Sequence, residues 1–305
     1  MNDLLKLKGT GVAMVTPFRA GEIDFPALGR IINHLIDGKV EFLVSLGTTG
    51  EATALTVEET QLLLDFTVEQ IAGRIPLIFA PFGMNNTAEL VRKVKSFDLS
   101  RVDVIMASSP AYVKPTQEGI YQHYMHLADA SPKPVIIYNV PGRTASVVKA
   151  ETTLRLAADH SNLIGVKEAS TDMMALSKLI KDRPDDFLVF SGDDITAFPT
   201  MALGADGLIS VLGNAFPYEM SEMIRLALQG KYEEGAKYHL QLLDIHKYIY
   251  AEGNPTGIKM AMSLLGLCES ELRLPLVELS AQASELLEQE ISRSGLKTPS
   301  FLQKK

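Results

Sequence analysis

The chain has 305 residues, and its 46% hydrophobic and 22% charged content is that of a globular protein rather than a disordered one. A formal charge of -8 and a pI near 5.3 argue against a general nucleic-acid or anionic-membrane binder, though a local cationic pocket can still exist in an acidic protein. Cys268 is the only cysteine, which excludes an intrachain disulfide and a thiolate metal cluster and predicts a small core residue.

The opening MNDLLKLKGTG lacks the long apolar stretch of a signal peptide, and nowhere do about 18 apolar residues run uninterrupted, so a cytoplasmic protein is expected. Eight short β-rich apolar runs then follow: GVAMVT (11–16), EFLVSLG (41–47), IPLIFA (75–80), VDVIMAS (102–108), PVIIYNV (134–140), LIGVKEA (163–169), FLVFSGD (187–193) and GLISVLG (207–213). Between them lie segments of helical period, among them 25–39, 56–73, 86–97, 116–130 and 151–159. Runs apolar on both faces that alternate with amphipathic helices need a parallel sheet covered by helices. Eight such units suit a closed (β/α)8 TIM barrel, with an open doubly wound sheet as the alternative.

From about residue 217 the strands cease and four helical stretches follow, at 217–230, 231–251, 254–267 and 275–292. They exceed the single helix needed after a last strand. The expected organisation is a barrel domain over 1–224 with a C-terminal helical extension over 225–305, ending in a frayed tail from Gly295.

In such a barrel the chemistry sits where the strands end. Those positions hold Thr16, Thr48, Thr49, Glu51, Tyr112, Tyr138, Arg143, Lys167, Glu168, Asp193, Asp194 and Ser210, with no histidine. The six histidines fall in helical segments, so His123 and His126 read as a helix-surface pair rather than metal ligands, and no metal is expected. GTTGE (47–51) is glycine-rich but lacks the Gly-Lys-Ser/Thr ending of a P-loop, and a plain strand-to-helix turn explains it equally well. Asp193 and Asp194 suit a helix cap. Lys167 taken alone could snorkel to solvent or pair with Glu168 or Glu151. Convergence of these groups on one rim favours chemistry.

GTTGE (47–51), YNVPGRT (138–144), GVKEAS (165–170), SGDD (191–194) and GLISV (207–211), with GVAMVTPF, NPTGIK and LRLPL, resemble the pyruvate-dependent aldolases and lyases of the dihydrodipicolinate synthase and N-acetylneuraminate lyase family over nearly the whole chain. The synthase branch is nearer, because it has the second threonine of GTTGE, the tyrosine of SSPAY and an arginine after YNVP. The resemblance implies a cofactor-free lyase that condenses pyruvate with L-aspartate 4-semialdehyde in lysine and diaminopimelate biosynthesis. A sister aldolase acting on a sugar-derived 2-keto acid is the alternative.

It also implies roles. Lys167 would form a Schiff base, and since an amine of pKa about 10.4 is free in only about one part in a thousand near neutral pH, it needs desolvation or a cationic neighbour, and a wall of Ile164 and Val166 would supply the desolvation. Tyr138 would be the acid/base, linked through Thr48 to Tyr112 of a neighbouring subunit, so at least a homodimer and by family habit a homotetramer is expected. Thr49, at a helix N-terminus, would take the pyruvate carboxylate and Arg143 the second substrate's carboxylate, with Gly192 and Ile209 lining the pocket. Asn85 and Glu89 match the family's lysine-feedback site, but Ala52, Thr53, Val57 and Ala111 stand where sensitive members commonly carry serine, histidine and tyrosine. Feedback by lysine is therefore expected to be weak or absent.

Overall fold

A computed structural model describes residues 4–296. Residues 1–3, part of the segment read for a leader, and 297–305, most of the expected tail, lie outside them. Eight parallel strands close into a barrel: β1 (Gly9–Ala13), β2 (Phe42–Ser45), β3 (Leu77–Phe82), β4 (Val104–Ser108), β5 (Val135–Asn139), β6 (Leu163–Glu168), β7 (Leu188–Ser191) and β8 (Gly207–Ser210), with β8 pairing back onto β1. The expected TIM barrel is thus found, each strand within a few residues of its apolar run. Its interior is filled by side chains such as Phe42, Ile78, Met106, Ile136, Ile164, Phe190 and Ile209.

The helices around it are α1 (Phe25–Asp37), α2 (Val57–Ile71), α3 (Thr87–Ser96), α4 (Gln117–Ala130), α5 (Ala150–Asp159), α6 (Met173–Asp182), α7 (Asp194–Ala202) and α8 (Pro217–Leu228). Their starts are locally encoded. Asp24, Thr56, Asn86, Thr116, Asp172 and Asp193 each accept a backbone N–H of the first turn, and Thr56 forms a full capping box with Glu59. His123 departs from the helix-surface reading: it is buried under α4, with Nδ1 2.8 Å from Thr87 Oγ1, and its desolvated imidazole is pushed down to about 4. His126, one turn on, is exposed as expected.

Three further helices follow among the described residues: α9 (Tyr232–Ile249), α10 (Thr256–Leu264) and α11 (Ala281–Ser294). The last stretch begins later than its apolar pattern suggested, because residues 275–280 are not helical and Ser280 supplies the cap, accepting from Ala283 N. The limit expected at residue 224 falls inside α8, and Leu242, Ile245, Ile249, Ile258, Met262 and Leu287 share one continuous core with the barrel's helix layer. Cys268 lies in that core, where burial pushes its thiol up to about 12.

Candidate active site

Lys167 reaches the barrel mouth through a slip in strand pairing. Along β5 and β6 the partners are Val135 with Leu163 and then Ile136 with Gly165, so Ile164 is an extra residue. Beyond it Lys167, not Val166, sits opposite Tyr138, and both side chains point inward. Val166 turns to the helix layer, so only Ile164 of the expected apolar wall faces the interior; the flanking strands supply the rest, Tyr138 on one side and Phe190 on the other. Gly165 tolerates no side chain there, since a Cβ would lie 2.7 Å from the Leu188 carbonyl oxygen.

At the mouth is a cavity of about 140 Å³ lined by Thr48, Thr49, Tyr138, Arg143, Lys167 and Gly192, with Asp193, Val211, Tyr250 and Asn254 among its other walls. Its size suits a substrate of few heavy atoms, below the ~300–1,000 Å³ of pockets for larger ligands. Lys167 is 6% exposed, and its ammonium lies 5.4 Å from the Tyr138 ring. Burial drives its pKa from 10.5 down to about 8; the Asp194 carboxylate opposes this and the Arg143 guanidinium assists it. Gly192 makes room for the lysine stem, because a Cβ there would lie 2.9 Å from Lys167 Cε.

The Tyr138 hydroxyl is 3.0 Å from Thr48 Oγ1. Burial raises the phenol's pKa, while the Thr48 hydrogen bond and the Arg143 charge pull against the rise, so Tyr138 is a neutral phenol near pH 7. Arg143 Nη2 donates to the Asn254 carbonyl (3.2 Å), and Asn254 Nδ2 donates to Thr49 Oγ1 (3.0 Å). Thr49 does not stand at an α-helix N-terminus: a 3₁₀ turn, Ala52–Ala54, follows GTTGE, and α2 starts only at Val57.

Two predicted residues lie apart from this group. Tyr112 is 87% exposed, outside its own chain's cavity, on a left-handed backbone (φ 66°). Ile209 is packed in the barrel interior, and Val211 forms the wall above. Asp193 caps α7 as expected, but Asp194 does different work: its carboxylate accepts from Ser210 Oγ (2.6 Å), Val211 N (3.1 Å), Leu212 N (2.9 Å) and the Tyr250 hydroxyl (3.3 Å), tying the β8 loop to α7. Glu168 points away from Lys167 and accepts from Asn139 Nδ2 (2.6 Å) and Ser170 N (2.7 Å). A larger cavity, about 730 Å³, lies on that far side and includes none of Lys167, Tyr138 and Thr48.

Residues 6–294 match the model of the dihydrodipicolinate synthetase family. The chain belongs to that family. It is 48% identical over 281 residues to the 4-hydroxy-tetrahydrodipicolinate synthase of Flavobacterium psychrophilum, covering 92% of this chain and 96% of that one. Among solved structures, the dihydrodipicolinate synthase of Aquifex aeolicus superposes with a TM-score of 0.91 at 38% identity, covering 96% of this chain and all (100%) of the other. The Acinetobacter baumannii dihydrodipicolinate synthase complexed with pyruvate gives 0.91 at 35% identity, over 95% and 100%.

Beside the motifs that carry the family likeness, the structure adds contacts that the sequence does not reveal. Glu51, the last residue of GTTGE, is buried against Lys259 of α10, and Asn254 joins Arg143 to Thr49. The signal was present but mute: the one charged residue of the stretch IKMAMSLLGL, a lysine, has no acidic partner within a helical turn, and the partner lies 208 residues away.

Proposed function

We propose that the chain condenses pyruvate with L-aspartate 4-semialdehyde to 4-hydroxy-tetrahydrodipicolinate through a Schiff base on Lys167. The observation that carries this reading is one buried lysine, its pKa near 8, beside the Tyr138–Thr48 pair and Arg143 in a small cavity. The free amine of Lys167 adds to the pyruvate carbonyl carbon, and loss of water leaves the imine. Tyr138 receives and returns protons as a methyl proton departs and the enamine forms. The enamine carbon then attacks the aldehyde. Attack by that substrate's own amine on the imine carbon closes the ring and frees Lys167.

Thr49 and its neighbouring amides would take the pyruvate carboxylate, and the Arg143 guanidinium the carboxylate of the aldehyde. The reaction as drawn uses no metal or cofactor. Tyr112, exposed in its own chain, is suited to complete the Thr48–Tyr138 relay of a second copy, which makes the working form at least a homodimer and, following the family, a homotetramer. A cytoplasmic, biosynthetic setting accords with these substrates; among the described residues, no helix is long and apolar enough to cross a membrane. Borohydride reduction in the presence of pyruvate, followed by peptide mapping, is the test. The expected result is one adduct on Lys167 together with turnover of aspartate semialdehyde; an adduct without that turnover points to a sister aldolase, and no adduct sinks the mechanism.

A further inference from the structure

Glu51 sits two and three residues beyond the threonines of the cavity, and three observations show that it is held there by force of its surroundings. Its backbone is left-handed (φ 52°), a conformation that side-chain-bearing residues adopt at a cost. Its amide donates to the Thr48 carbonyl (3.1 Å), which ties the backbone that carries the Thr48 side chain to Glu51. Both carboxylate oxygens are engaged: Oε1 with the Lys259 ammonium and Oε2 with the Arg273 backbone N–H (3.1 Å).

Lys259 is in turn fully enclosed. It is 0% exposed, its ammonium donates also to the Glu271 carbonyl (2.8 Å), and it stands 4.3 Å from the centre of the Phe18 ring. Arg273 stacks on the same ring at 4.5 Å and donates to the Ala54 carbonyl (3.1 Å) and to Glu59. Lys259 lines neither the catalytic cavity nor the neighbouring one that opens beside Thr48. A buried ion pair seldom stabilises more than well-packed apolar residues would, so stability alone does not account for this one.

We propose that Lys259 is a positioning residue: through Glu51 it holds Thr48 in hydrogen-bond register with Tyr138, so the C-terminal region sets the proton-transfer geometry without touching substrate. This rests on the reading of Lys167 and Tyr138 given above. It separates two steps. Imine formation needs Lys167, whose placement comes from β6, whereas removal of the pyruvate methyl proton needs the Thr48–Tyr138 contact.

The test compares the full-length parent with Lys259→Met, Glu51→Gln and Lys259→Arg. Two rates are measured per folded molecule: borohydride trapping of pyruvate, and exchange of pyruvate methyl protons with deuterated water. For Lys259→Met, trapping and the pyruvate KM are expected to stay within about threefold of the parent, while methyl exchange and kcat fall about 100-fold. Glu51→Gln, which keeps the shape of the contact, is expected to slow exchange selectively but less, and Lys259→Arg to restore much of it. If Lys259→Met does not fold, the Glu51→Gln comparison decides. Exchange at the parental rate in these variants, or trapping and exchange slowed in equal proportion, overturns the inference alone. A parent that pyruvate and borohydride leave unlabelled overturns the mechanism and the inference together.

Discussion

Two lysines of this chain are buried almost equally and put to opposite uses. Lys167 is 6% exposed and, among the described residues, has no carboxylate within ion-pair distance; Lys259 is 0% exposed and is paired with Glu51. Burial lowers the pKa of both, but at Lys259 the Glu51 charge and hydrogen bond oppose the fall, whereas at Lys167 the more distant Asp194 does so and Arg143 adds to it. On the proposed mechanism, what distinguishes the nucleophilic amine is therefore the withholding of a partner, not burial as such.

The contrast can be broken most directly at Lys167. Lys167→Met should leave no borohydride adduct and no measurable turnover, yet melt at the same temperature as the parent or higher, since it removes an uncompensated buried ammonium. A lower melting temperature would mean that Lys167 also supports the fold. Tyr138→Phe is expected to retain the adduct while turnover falls by about 10²–10⁴-fold, measured as steady-state kcat.

Lys259→Met should do the reverse of Lys167→Met in denaturant titrations, costing about 3–5 kcal/mol because Glu51 is left buried and unpaired. Replacing both Glu51 and Lys259 by leucine and methionine should cost clearly less than that single change. If the double replacement is as damaging, the pair is not acting as a pair.

A smaller effect sharpens the electrostatic half of the comparison. The initial rate of pyruvate trapping should rise with pH and level off above about 8, since deprotonation of Lys167 supplies the free amine. With Arg143→Gln, removing the neighbouring cation should move that inflection upward. The smallest expected response is to added lysine. Asn85 Oδ1 accepts the Ala111 amide (2.8 Å), Glu89 pairs with Arg92, and Val57 is exposed, so activity should persist in millimolar lysine. Half-inhibition well below that would show that other groups build the feedback site.

The barrel was legible because its signals are local: two-faced apolar runs, amphipathic periods and capping residues such as Thr56 and Asp172 each act within a few residues. Lys167, Tyr138, Thr48 and Arg143 were legible because strand ends converge in this fold and their motifs match a family. What escaped was set by distance along the chain. The Glu51–Lys259 contact, the Asn254 bridge and the burial of His123 against Thr87 join segments that no periodicity relates. The reading of Val166 as part of the lysine's wall failed for a subtler reason, since simple alternation cannot reveal an extra residue in one strand of a pair.

That extra residue, Ile164, bears on how this catalyst could be lost. With unbroken pairing from Val135 and Leu163, the position opposite Tyr138 would fall to Val166, and Lys167 would face the helices. On the proposed role of Lys167, a deletion of one codon in the bulge would therefore disarm the enzyme while GVKEAS, YNVPGRT and GTTGE all remained intact. In this family, an inactive descendant could be betrayed by the length of a strand rather than by any altered motif.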